Sequence, residues 1–170
     1  MSRTETCGRA YVKYKGPFDW DGLYKLMVNW MKNKHYVTQE NQYKEKKLGP
    51  NGNEVKFKVT GKRKETSYTR IIMELFLHGW DMAEHEVVVD GEKKKMNSGR
   101  FSIEITSKVE FDWQNTFTGS PGKEIMGKFY DWVMKRQHEL LHIDVQEYQT
   151  LELEHEIKKF LKMETDTHAY

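Results

Sequence analysis

The sequence has one cysteine, three prolines and no long apolar run. A lone Cys7 closes no intramolecular disulfide, so nothing in the chain demands an oxidising compartment. Cys7 also lacks the sequence context and neighbouring histidine of an activated thiol, which reads as an inert side chain. Pro17, Pro50 and Pro121 each follow Gly or Ser, marking boundaries between elements rather than kinks within them. The most apolar stretch, "IIMELFLHGW", is far shorter than the ~20 residues a membrane-spanning helix requires. The opening "MSRTETCGRA" contains no apolar core of a secretory signal. The expectation is a soluble, cytoplasmic protein with no transmembrane segment. A P-loop, a G-x-G-x-x-G turn, a serine nucleophile elbow and paired C-x-x-C motifs are all missing, so the sequence offers no nucleotide cradle or familiar hydrolase signature of those kinds.

What is present suits one domain over residues 1–170. Charged residues make up 32% and hydrophobic ones only 37%, a balance that leans toward disorder. Five Trp, nine Tyr and eight Phe tip it back, because disordered chains are poor in aromatics and these are enough to seed a core. The net charge of +2 conceals an asymmetry. Residues 41–64 are strongly basic, whereas 139–170 carry Asp144, Glu147, Glu152, Glu154 and Glu156. Such halves either balance each other as solvated faces or leave the basic part to an anionic partner.

Periodicity divides the chain. "RAYVKYKG" reads as a short first strand. Asp19 then caps a helix over about 20–34, where Trp20, Leu23, Leu26, Met27, Trp30 and Met31 form one apolar stripe. The middle is β. "YVTQENQYKEKK" has the lysines of an edge strand, and Asn51-Gly52 signals a turn. "EVKFKVT" alternates, "YTRIIMELFLH" is apolar enough for a central strand, and "HEVVVDGEKKKM" reads as a hairpin closed at Asp90-Gly91. The clearest signal is Phe101–Trp113. Its odd positions are Phe, Ile, Ile, Ser, Val, Phe and Trp, with polar residues between, which is a strand with one dry face and one wet face. The dry face needs a cover, and two C-terminal helices supply it. One starts at Ser120-Pro121 and runs to about Leu141, with Ile125, Phe129, Trp132, Val133 and Leu140 on one side. The other spans about 145–163. The predicted fold is α+β, in the order β-α-β(4–6)-α-α: an antiparallel twisted sheet of five to seven strands with helices packed on one face.

One motif carries explicit chemistry. "RQHELLHID" contains H-E-L-L-H, which sets His138 and His142 on one face of a helix with Glu139 beside the first. With Glu156 as third ligand and Glu139 as general base, these would hold a catalytic zinc with an open position for water. Arg136 and Asp144 place charge on both flanks, where a buried active-site helix favours apolar contact. His138 and His142 project away from the apolar side, as solvent-facing histidines also would. A chance occurrence is therefore the favoured reading, with no cofactor expected and zinc as the alternative.

Other clusters were weighed against plainer roles. His78 and His85 flank "GWDMAE" with Asp81 and Glu84, a pattern equally at home at a strand end. Lys93, Lys94 and Lys95 fit a solubilising hairpin tip. Lys56, Lys58, Lys62, Arg63 and Lys64 are candidate anion contacts, and Tyr11, Tyr14, Tyr43 and Phe57 interleave with lysines as in a single-strand nucleic-acid platform. Trp30, Met73, Leu75, Phe101, Ile103 and Ile105 would line a cavity between sheet and helices if one exists.

The order of elements resembles the helix-grip domains of the START and Bet v1 type, in which an antiparallel sheet curls around a C-terminal helix. That resemblance implies a sheet-and-helix interior, and no binding residue carries over because no motif matches. The texture of "LYKLMVNWM", "KKKMNSGR" and "KKFLKMET" resembles small archaeal proteins without an assigned activity. The favoured functional reading is a non-enzymatic binding or assembly domain with a protein partner or a second copy of itself. A zinc hydrolase and a nucleic-acid binder using residues 44–64 are the alternatives.

Overall fold

The computed structural model describes residues 3–47, 52–89, 92–117, 119–138 and 142–163. Strand β1 (Arg3–Phe18) leads into helix α1 (Trp20–Asn33). Then come β2 (Val37–Lys47), β3 (Asn53–Lys64), β4 (Thr69–Val89) and β5 (Glu92–Phe111), followed by α2 (Pro121–His138) and α3 (Asp144–Phe160). The sheet is antiparallel throughout, in the order β1-β5-β4-β3-β2. The α+β class, the element order and a five-stranded sheet within the predicted range are all observed.

The Phe101–Phe111 alternation is realised except at Thr106, which is buried. Phe101, Ile103, Ile105, Val109 and Phe111 are buried, while Ser102, Glu104 and Lys108 between them keep contact with solvent. Ile71, Met73, Leu75 and Leu77 of β4 and Val55, Phe57 and Val59 of β3 continue the same dry face. α1 and α3 cover it, through Leu23, Met27 and Met31 of the first and Leu153, Ile157 and Leu161 of the second. Burial on this scale is the main stabilising term, worth roughly 1.5–3 kcal/mol for each large apolar side chain.

Local chemistry sets the helix limits. Asp19 accepts a hydrogen bond from the Gly22 N–H, capping α1 as its sequence predicts. α1 ends with His35 in the left-handed region, where the Tyr36 N–H reaches back to the Met31 carbonyl. α3 ends the same way at Lys162, with Met163 donating to Lys158. Neither end uses the glycine that usually fills this position. Ser120 accepts from the Lys123 N–H at the start of α2. The Asp90-Gly91 turn lies outside the described residues, but the pairing on either side runs to Val89 opposite Glu92.

One expectation is corrected. The apolar side of α2 does not cover the sheet. Ile125, Met126, Phe129, Trp132 and Val133 are 55–74% exposed. The helix meets the body through its other side. Gly127 sits against Phe117, Tyr130 rings against Tyr68 and Phe117, and Asp131 accepts from the Tyr68 hydroxyl and pairs with Arg3. At 100° per residue, Phe129 lies nearly opposite Gly127 and Asp131, so the apolar stripe points away from the protein. No helix among the described residues is long and apolar enough to cross a membrane.

Candidate functional site

With α1 and α3 on one face, no helix among the described residues covers the other face of the sheet, and register decides what it displays. Opposite Glu104 stand Tyr11 on β1 and Phe76 on β4. Opposite Ser102 stand Lys13 and His78, and opposite Arg100 stand Lys15 and Trp80. Continuing the parity, the open face carries Arg9, Lys13 and Lys15 on β1, Arg100 and Lys108 on β5, and Arg70 on β4. It also carries Lys56, Lys58, Lys62 and Lys64 on β3 and Lys44 and Lys46 on β2. Among the described residues, the carboxylates rooted there are Glu54, Glu74, Glu104 and Glu110. In a chain of net charge +2, this face carries basic residues well in excess of its carboxylates.

Parts of this face are internally neutralised. Glu74 lies between Lys58 at 3.4 Å and Lys108 at 3.2 Å. Burial pushes the Glu74 carboxyl up, but the Lys108 and Lys58 ammonium groups more than offset it and hold it below the usual carboxylate range. Glu54 reaches in to Lys56 at 2.9 Å and His78 at 2.7 Å, and hydrogen bonds from these two lower its pKa. Arg70 makes a two-pronged contact with Glu110, and Arg100 one with Asp81. Lys13, Lys15 and Lys62 pair with no carboxylate among the described residues.

The least neutralised part of the face lies around Trp80. A bulge sets Asp81 and Met82 opposite the single residue Gly99, with Asp81 in the left-handed region. Met82 turns inward and is buried, whereas Trp80 turns outward and is 38% exposed. His78 packs on Trp80 at 3.9 Å between ring centroids. A recess of about 540 Å³ opens beside Trp80, bordered by Lys13, Lys15, Arg100 and Ser102. Sequence reading missed Trp80, Lys13, Lys15 and Arg100. The alternation of "YVKYKG" was visible, but their meeting depends on cross-strand register.

The predicted residues fall in different places. Of Tyr11, Tyr14, Tyr43 and Phe57, Tyr11 alone lies on the open face. Phe57 is buried, Tyr14 packs on Phe18 and Phe101, and Tyr43 packs on Phe57 from the helix side. Of the basic set, Lys56, Lys58, Lys62 and Lys64 share the open face and Arg63 does not. Arg63 donates to the Lys34 carbonyl at the end of α1 and stacks over Tyr36. It is a clamp on a helix C-terminus, where a cation is favoured. Met73, Leu75, Phe101, Ile103 and Ile105 are packed in the continuous core, with Trp30 partly buried against it. Leu23, Met27 and Met31 of α1 and Leu153 and Ile157 of α3 belong to the same core cluster.

Glu139, with Leu140 and Leu141, lies outside the described residues, as does the His138 side chain. His142 is partly buried ahead of α3, and burial lowers its pKa against the opposing influence of Glu65. Glu156 is misplaced as its co-ligand. It sits twelve residues beyond Asp144 on a continuous helix, roughly 18 Å along the axis, whereas zinc bonds are about 2 Å long. No three His, Cys, Asp or Glu side chains converge as a metal site among the described residues. His78 holds Glu54 and His85 holds Ser98, in separate contacts. The side chains of Lys93, Lys94 and Lys95 lie outside the described residues. Burial raises the Cys7 thiol to about 11, which keeps it protonated and unreactive. The sequence matches no protein-family model and no curated protein.

Proposed function

We propose that this protein is a non-enzymatic binding and assembly domain that pairs with a second copy of itself through α2. The observation that carries this reading is the outward stripe of Ile125, Met126, Phe129, Trp132 and Val133. A helix whose polar side packs on its own protein, and whose apolar side meets water, has its cover elsewhere. The exposed patch is on the order of 600 Å², at the top of the range found on ordinary monomers. Doubled across a twofold axis it buries about 1,200 Å², the lower bound of a specific interface. An antiparallel crossing centred on Phe129 sets Trp132 of one copy against Ile125 and Met126 of the other, and a self-complementary contact of this kind closes as a dimer.

Sedimentation velocity tests it. The protein should sediment as a dimer at concentrations up to about 100 μM, where a contact of μM affinity is saturated. Phe129→Glu and Trp132→Glu should each give a folded monomer, melting like the parent at dilutions where the parent is also monomeric, because these side chains contribute little to the fold of one copy. A monomeric protein at the highest concentration overturns the self-pairing.

A further inference from the structure

A second surface is independent of α2. We propose that the open face of the sheet binds single-stranded nucleic acid, with a base stacked on Trp80 and the adjoining phosphates held by Lys13 and Lys15.

Three observations converge there. First, charge: the face gathers basic residues far in excess of its carboxylates, although the chain as a whole is close to neutral. Second, aromatic rings: Phe76, His78 and Trp80 follow one another at alternate positions of β4, and Tyr11 stands across β5 on β1. The Phe76 and His78 rings lie 6.2 Å apart and the His78 and Trp80 rings 3.9 Å, so they run in line along β4 with Trp80 at the end. Third, shape: the recess beside Trp80 leaves the ring accessible on the side away from His78. Bases stack on aromatic side chains whatever their identity, and flanking cations follow the backbone, which is how sheet platforms take single strands.

The alternatives fit less well. Duplex DNA hides its base faces, so the aromatic row would meet no stacking partner. An anionic membrane favours apolar side chains that project beyond a basic rim, whereas Phe76 and His78 are half-buried among charged neighbours. Lys56 and Lys58 contribute less than their number suggests, because Glu54 and Glu74 already engage them. The centre of the site is therefore the β1-β5-β4 end rather than the 44–64 segment. Arg100, held by Asp81, keeps donors for the bases rather than a free charge.

Fluorescence anisotropy with labelled oligo-dT and oligo-U strands, over a salt series, tests the proposal. Binding is expected at low salt, falling linearly in log–log form with a slope of about −0.7 for each phosphate contacted. Trp80→Ala should weaken binding at fixed salt by about ten-fold or more, in line with the loss of one stacked base. The double variant Lys13→Gln/Lys15→Gln, on exposed side chains, should fold normally and flatten the slope by the share of two contacts. Lys123→Gln, on α2, should change neither. Absence of binding at low salt overturns the proposal. So does equal affinity for a duplex with no effect of Trp80→Ala, which marks charge alone. Binding to phosphatidylserine vesicles without binding to the oligonucleotides overturns it in favour of a membrane surface.

Discussion

The hydroxyls of Thr150 on α3 and Ser107 on β5 are hydrogen-bonded at 2.8 Å, directly over Gly8 of β1. Both residues are almost fully buried, and a Cβ on Gly8 would stand 2.8 Å from Thr150 Oγ1 and 3.0 Å from Ser107 Oγ. The closeness of α3 to the sheet thus depends on a missing side chain. Gly8→Val should force α3 outward and destabilise the fold by about 1–3 kcal/mol, the usual range for overpacking. Urea denaturation measures it, and an unchanged midpoint would contradict the tight seat described for α3.

Tyr36, in the connection between α1 and β2, makes a second buried polar link to α3. Its hydroxyl reaches Gln146 Oε1 at 2.8 Å and Gln149 Oε1 at 3.2 Å. Burial pushes the phenol up to about 12, despite Arg63 over the ring. Tyr36→Phe leaves the Gln146 oxygen buried without this donor and should cost about 1–3 kcal/mol. Adding Gln146→Leu should recover part of the loss, and a double-mutant cycle reads the coupling.

Cys7 should be a poor nucleophile while the protein is folded. Burial raises its thiol from 9.0 to about 11. The shift reduces the thiolate fraction at pH 8 by about 100-fold relative to the unfolded chain. Alkylation by iodoacetamide should therefore be slow in buffer and rapid in denaturant. The linkage has a definite sign. The protonated thiol is favoured in the fold, so this contribution to stability is complete below pH 9 and is lost as pH rises through 11.

Glu74 should govern part of the acid limb. Its folded pKa lies below the ordinary 4.5, so its stabilisation is present above pH 4.5 and is lost as pH falls through the lower folded value. Glu74→Gln should cost about 0.5–1 kcal/mol at pH 7, the scale of a partly exposed pair. At pH 2 the variant and the parent should melt together. A difference that persists there would assign the effect to packing instead of charge.

How much of this was legible depends on the kind of information each feature uses. The Phe101–Phe111 strand is plain because the thirteen residues Phe101–Trp113 repeat one simple alternation, and α1 is plain because Asp19 and its stripe agree. α2 has the same kind of stripe as a core helix, and periodicity cannot say whether the cover belongs to the same chain. The uniform apolarity of "IIMELFL" fits a central strand with both faces partly covered. β4 is indeed central, but Ile72 and Phe76 are half-buried under charged neighbours rather than under helices. The basic face was hidden for another reason. Bulges at Thr6/Gly8, Glu40/Gln42 and Trp80/Ala83 reset which side of the sheet each strand presents, and these shifts leave no mark in composition. Arg63 was grouped with its lysine neighbours because adjacency in sequence conceals that odd and even positions of a strand part company.

The layering of charge has a practical corollary. With lysine and arginine in excess on the open face, the protein has a basic side that its isoelectric point of 8.4 does not describe. A sulfonate resin at neutral pH should retain it more strongly than a net charge of +2 alone would.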